Sequence, residues 1–151
     1  MMNLILWRHA DAEPGTIDLE RPLTSKGHKQ AARVAEWLKE HLPADTRLVS
    51  SQATRAIETL SALSLSFEQD ARVNPCAAAE DYLETAGWPD AQGSVLITGH
   101  QPSIGHVLAE LLGPNPAGWS VKKGSVWWLQ HRVRDGVAQT VLKAMISAEM
   151  L

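Results

Sequence analysis

The sequence predicts an α/β protein: a three-layer α/β/α sandwich on a mostly parallel sheet, with an antiparallel hairpin at its edge. Three observations point there. Two stretches, Asn3-Leu4-Ile5-Leu6-Trp7 and Ser94-Val95-Leu96-Ile97-Thr98, are almost continuously apolar. An unbroken rather than alternating run suits a strand buried on both faces, as in parallel sheets. Strand-like and helix-like segments then alternate as far as Leu112, the order that βαβ units produce. Finally, Asp135-Gly136 separates two strand-like runs, 125–133 and 137–147, and Asp-Gly is a tight-hairpin signal.

Each element has its own local reason. After the first strand, residues 12–20 are polar, acidic and broken by Pro14-Gly15, which marks a surface loop. From Gly27 to His41 the residues Ala31, Ala32, Val34, Ala35, Trp37, Leu38 and, just beyond, Leu42 recur at helical spacing. Thr24 or Ser25 is the expected N-cap and Pro43 the stop. Thr46–Ser50 reads as a short strand, and Arg55–Leu65 as a helix carrying Ala56, Ile57, Leu60 and Leu63. Ser66–Val73 alternates weakly, Cys76–Glu84 looks helical, and Gly87–Gly93 is a loop. Ile104, Val107, Leu108, Leu111 and Leu112 form one apolar helix face, closed by Gly113-Pro114.

Composition narrows the function. At 151 residues, 44% hydrophobic and 21% charged, the chain is expected to be one globular domain, 1–151. A net charge of −3 gives no general attraction to nucleic acid. No window has the length and apolarity of a membrane span, and the N-terminal run lacks the basic leader of a signal peptide. Cys76 is the only cysteine, which excludes an internal disulfide and a cysteine metal cluster. A cytoplasmic setting is expected. The six tryptophans are expected in the core or at its rim.

Three predicted strands lead to residues that suit a phosphoryl group. The first ends at Arg8-His9, the second leads to Arg55, and the third ends at His100. If these strands are parallel neighbours, their carboxyl ends share one crevice, where ligands of open α/β sheets bind. Arginine is a fixed cation whose planar fork matches phosphate oxygens. Neutral histidine is a nucleophile near pH 7.

These stretches also carry a resemblance. Leu6-Trp7-Arg8-His9-Ala10, the segment Asp18-Leu19-Glu20-Arg21-Pro22-Leu23-Thr24-Ser25-Lys26-Gly27, Val49-Ser50-Ser51 with Arg55-Ala56-Ile57-Glu58-Thr59, and Ile97-Thr98-Gly99-His100-Gln101-Pro102 occur in an order that resembles the histidine phosphatase superfamily. That superfamily has the phosphoglycerate-mutase-like fold, and the likeness is specifically to its SixA-like phosphohistidine phosphatases. It spans nearly the whole chain, with Ala10 where the superfamily usually has glycine. The resemblance implies that His9 is the phosphorylated nucleophile, that Arg8 and Arg55 grip the phosphoryl oxygens, and that His100 completes the pocket. It calls for no metal or cofactor. As substrate it implies a phosphorylated protein, a phosphorelay domain or phosphotransferase carrier.

Other roles stay open at this point. Arg21 either contacts substrate or salt-bridges the acidic loop. Ser51 either adds a hydroxyl to the phosphate or caps the next helix, and Gln101 has a backbone N–H to offer. No general acid stands out among Asp11, Glu13, Glu80 and Asp81. An imidazole leaving group needs less protonation help than an alkoxide, so this gap leans toward an N–P substrate. A broad small-phosphoester phosphatase and a non-catalytic phospho-ligand binder are the competing readings. A nucleophilic histidine is superfluous in the second, and the chain is short for a mutase. Its brevity also predicts an exposed, shallow site. His28, His41, His106 and His131 are expected at the surface or in structural roles, and Lys122 and Lys123 in solvent or facing an acidic partner.

Overall fold

A computed structural model describes all residues, Met1–Leu151. Its six strands, β1 (Met2–Arg8), β2 (Arg47–Ser50), β3 (Glu68–Gln69), β4 (Gly93–Gly99), β5 (Val126–Arg134) and β6 (Val137–Ile146), form one sheet in the order β3-β2-β4-β1-β5-β6. The first four run parallel, and β5 and β6 are antiparallel. Helices α1 (Ser25–His41), α2 (Thr54–Ser61), α3 (Ala79–Ala86) and α4 (Ser103–Leu112) cover the two faces.

The unbroken apolar run of β1 is resolved by its pleat. Leu4 and Leu6 point into one core with Val95, Ile97 and Leu129, under Tyr82 of α3 and Ile104, Val107 and Leu108 of α4. Ile5 and Trp7 point the other way, to Leu96, Val126 and Trp128, under Val34 and Leu38 of α1 and Leu60 of α2. Both faces of the strand are therefore buried, each large apolar side chain contributing roughly 1.5–3 kcal/mol. The hairpin turns where expected: Asp135 and Gly136 both have positive φ, 52° and 76°, as a type I′ turn requires. The tryptophans also lie as expected, with Trp7 and Trp128 buried and the other four half-buried.

Helix ends depart from the periodicity. Thr24 is the N-cap of α1, one of the two expected, accepting from Gly27 N–H, so the helix begins at Ser25, two residues before the periodic stretch opens at Gly27, and Ala32 is exposed on its outer face. Helix α2 stops at Ser61, not Leu65. The Ala62 and Leu63 N–H groups donate to Thr59 and Leu60, three residues back, and Ser64 turns left-handed. Helix α3 begins three residues later than Cys76, which also has positive φ; Asp81 sets the start by accepting from Ala78 N–H. The segment 66–73 yields only the two-residue β3 and a 3-10 turn at Ala71–Val73.

Candidate active site

Strand register brings the site together. Arg8 pairs with Gly99 across β1 and β4, and Ser50 with Thr98 across β2 and β4. His9, His100 and Ser51 thus leave three adjacent strands at nearly the same level. The His9 and His100 rings lie 5.2 Å apart, centre to centre. Arg8 is half-buried beside them, and Arg55 follows in the first turn of α2.

His9 is held in one tautomer. Its Nδ1 lies 2.7 Å from the Ala10 carbonyl oxygen, which can only accept, so Nδ1 carries the proton and Nε2 keeps a lone pair. Burial lowers its pKa to about 4, against the pull of the Ala10 carbonyl and helped by the charges of Arg55, Arg8 and Arg21. The ring is therefore neutral at pH 7. The loop carrying it is pinned by Thr59, whose hydroxyl accepts from Ala10 N–H at 3.0 Å and donates to the Arg55 carbonyl at 2.7 Å.

His100 is fixed from two sides. Its backbone N–H donates to Tyr82 Oη at 3.0 Å, and its Nε2 lies 2.7 Å from Ser51 Oγ. Ser51 Oγ also accepts from Ala53 N–H at 3.1 Å, and its second lone pair and its own proton can each meet His100 Nε2. His100 Nδ1 is buried and has no partner in the protein. Burial, then the nearby His9 and Arg55, lowers its pKa to about 3. Glycine is required before it: a Cβ on Gly99 would lie 2.1 Å from Tyr82 Oη. Burial in turn raises the Tyr82 phenol pKa.

The two arginines are differently engaged. Arg8 donates from Nη1 to the Val121 carbonyl at 2.7 Å, while its Nε is buried without a partner. Arg55 donates from Nη1 to the Asp18 carbonyl at 2.8 Å and from Nη2 to Asp18 Oδ2 at 3.0 Å. Arg21 reaches the same carboxylate and the Glu13 carbonyl, so of its two expected roles the structure contains the loop bridge. Hydrogen bonds from Arg55, then Arg21, hold the Asp18 carboxyl below its usual pKa.

Of the expected ligands, then, Ser51 is the partner of His100 and does not cap α2: its hydroxyl accepts from Ala53 N–H, which precedes the helix. Gln101 braces the start of α4 through its side chain, which accepts from Gly105 N–H and donates to the Trp119 carbonyl. The open, shallow site expected from the chain's length is not what the structure has. His9, Arg55 and His100 are 7%, 5% and 2% exposed, and the 3-10 turn Asp18–Glu20 lays Asp18 over Arg55. None of the four acid candidates bonds to either histidine. Asp11 is engaged by Lys123 and Thr24, and Asp81 caps α3. Glu13 and Glu80 are exposed, and Glu80 lies against Glu110. No three His, Cys, Asp or Glu side chains are grouped to hold a metal, and no helix is long and apolar enough to cross a membrane.

Sequence reasoning singled out neither Asp18, Thr59 nor Tyr82 as a site residue. Thr59 had a signal, since it follows Arg55 by four residues and shares its helix face. Tyr82 is the only tyrosine and sits among the apolar residues of its helix. Asp18 lies in a quoted motif but on a loop, where spacing says nothing about reach.

An imidazole with a free Nε2, flanked by a second neutral imidazole and two guanidiniums at the carboxyl edge of a parallel sheet, defines a phosphate-handling α/β protein. The histidine phosphatase superfamily (branch 1) matches residues 4–82, and the chain belongs to that superfamily. It is 33% identical over 129 residues to the phosphohistidine phosphatase SixA homolog of Haemophilus influenzae, covering 74% of this chain and 78% of that protein. To the phosphohistidine phosphatase SixA of Escherichia coli it is 32% identical over 120 residues, covering 73% and 74%. A solved structure assigned as the SixA phosphohistidine phosphatase of Nakamurella multipartitia superimposes with a TM-score of 0.79 at 25% identity, covering 96% of this chain and 95% of that one.

Proposed function

We propose that this protein removes the phosphoryl group from phosphohistidine on another protein, through a phosphorylated His9. The observation that carries the reading is the His9 Nδ1–H bond to the Ala10 carbonyl, which leaves Nε2 as a lone pair on a neutral ring amid cationic charge. That lone pair attacks phosphorus; the P–N bond of the substrate breaks, and its imidazole leaves with a proton taken from solvent. Water then attacks the phosphoryl group on His9, releasing phosphate and restoring Nε2.

The charge that spreads over the phosphoryl oxygens is met by fixed donors, which is most of what such a transfer needs. Arg8 Nε and His100 Nδ1, both buried and without a protein partner, are assigned to those oxygens with the Arg55 fork. Gln101 contributes its backbone N–H. Ser51 acts through His100, and Arg21 through the field on His9. The names of the relatives support phosphohistidine over other phosphoryl donors, and the absence of a carboxylate bonded to either histidine fits a leaving group that needs little acid help. A single exposed cysteine fits a reducing cytoplasm.

The test is phosphate release from a carrier protein phosphorylated on histidine, with native enzyme and with His9→Ala, in chelator. Release by the native enzyme alone is expected. Equal release by both would remove His9 from the mechanism. Faster turnover of simple alkyl phosphate monoesters than of the carrier would reassign the protein as a small-molecule phosphatase.

A further inference from the structure

Beside the His9 cluster runs a groove of about 750 Å³ between α1, the 122–123 loop and the last residues, 147–149. Five cations line it, Lys26, Lys29, Arg33, Lys122 and Lys123, against one carboxylate, Glu149. That concentration is notable in a chain with 14 Lys and Arg, 17 Asp and Glu and a net charge of −3. Two of the five are already paired, Lys122 with Glu149 and Lys123 with Asp11. Lys26, Lys29 and Arg33 make no ion pair. They lie three, then four, residues apart, on one face of α1, and extend over roughly 10 Å of helix at 1.5 Å per residue.

The groove adjoins the loop that carries His9. Gly124 N–H donates to both the Arg8 and His9 carbonyls at 3.0 Å. Lys123 reaches Asp11 Oδ1 at 2.9 Å, and Gln30 on α1 accepts from Asp11 N–H at 3.0 Å. Two residues of the groove wall, Gln30 and Lys123, thus bond directly to Asp11, two residues after His9. The groove's lining has no aromatic residue on which bases would stack.

We propose that this groove docks an acidic stretch of the phosphohistidine-bearing protein, next to the histidine being dephosphorylated. The inference rests on the function proposed above and adds to it the surface that selects the substrate. Groove and site then engage one partner together, and the three unpaired cations supply an attraction that long-range charge makes strongest at low salt.

Two peptides, each with one phosphohistidine flanked on both sides by six residues, test it; one has glutamates as flanks and the other serines. Six extended residues reach roughly 20 Å, enough to enter the groove. At low ionic strength the glutamate peptide is expected to show about tenfold higher kcat/KM, through KM, with the advantage disappearing in high salt. Lys29→Glu with Arg33→Glu, both at exposed positions, is expected to erase that advantage and leave the serine peptide's rate unchanged. No preference in the native protein, or a preference the double variant retains, overturns the docking surface while the phosphatase reading stands. Polyuridylate displacing the glutamate peptide as well as polyglutamate does would also overturn it, in favour of nucleic acid. Hydrolysis of neither peptide would instead remove the phosphatase reading itself.

Discussion

Arg55, buried at the start of α2, has both ends of its fork occupied by a single residue: Nη1 by the Asp18 carbonyl and Nη2 by the Asp18 carboxylate. The carboxylate stands where an anionic ligand of Arg55 would bind, and it is half exposed, with 54% of its side chain accessible. It can therefore yield to a phosphoryl group without an unpaired charge being left in the core. Asp18→Asn keeps the shape and removes the competing charge. An exposed carboxylate of this kind is worth about 0.2–1 kcal/mol, so inorganic phosphate should bind the variant up to about fivefold more tightly in calorimetric titration. Weaker binding would show that Asp18 orients Arg55 and does not compete with its ligand.

If His100 Nδ1–H is the donor to a phosphoryl oxygen, the Ser51 hydroxyl, 2.7 Å from Nε2, must donate to that nitrogen and so holds the tautomer. Ser51→Ala removes that constraint. Imidazole nitrogen NMR should show His100 as the Nδ1–H tautomer in the native protein and as a mixture in the variant. Turnover should fall about tenfold or more, chiefly in kcat, because a donor aimed at a phosphoryl oxygen is present only part of the time. An unchanged spectrum would remove Ser51 from this positioning role.

Much of this site is legible in the sequence because it lies at strand ends. The apolar runs that mark β1 and β4 also mark where they stop, and the residues just past the stop are His9 and His100. Arg55 is legible for a similar reason, as the opening of a helix after a strand. What spacing does not reveal is any bond closed by tertiary structure. The Asp18–Arg55, Thr59–Ala10 and Tyr82–His100 contacts span 37, 49 and 18 residues, and no local pattern encodes them. Helix ends fail likewise: α2 loses its last turn to Ser64, and α3 its first to Cys76, both left-handed residues that no glycine announces. The burial of the site is missed because length alone does not show that the loop of residues 12–20 can fold back over an arginine.

Thr59 is the bridge between α2 and the nucleophile's loop. Thr59→Val conserves shape and deletes the hydroxyl, leaving the Ala10 N–H without its partner in a buried setting. An unmet buried donor costs about 1–3 kcal/mol, which a urea titration resolves. Because Ala10 also supplies the carbonyl that fixes His9, the rate of His9 phosphorylation should fall with it. A loss of stability with an unchanged phosphorylation rate would mean that the His9 tautomer does not depend on this bridge.

Acid should weaken the fold before the hydrogen-bonded aspartates titrate. The pKa values of His9 and His100 are lowered from 6.5 to about 4 and about 3 in the folded protein. Below pH 6.5 the unfolded chain therefore binds protons that the native state refuses. Stability then falls as pH falls, beginning near 6.5 and continuing until the folded-state values are passed. Asp11, Asp18 and Asp70 have pKa values lowered from 3.8, so their ionised forms stabilise the fold above that value and their contribution is lost only below it. Between pH 6.5 and 4 the two buried imidazoles weaken the fold, at on the order of 1–2 kcal/mol each by pH 5, while Glu110, whose carboxyl pKa burial and Glu80 raise, acts in the opposite direction. The urea midpoint should drop accordingly between pH 7 and pH 5, and His9→Asn, which removes one of the two titrating groups, should show about half the drop. A midpoint that does not move over that range would mean that the site accepts a proton while folded, and the neutral-nucleophile assignment for His9 would have to be abandoned below pH 6.5.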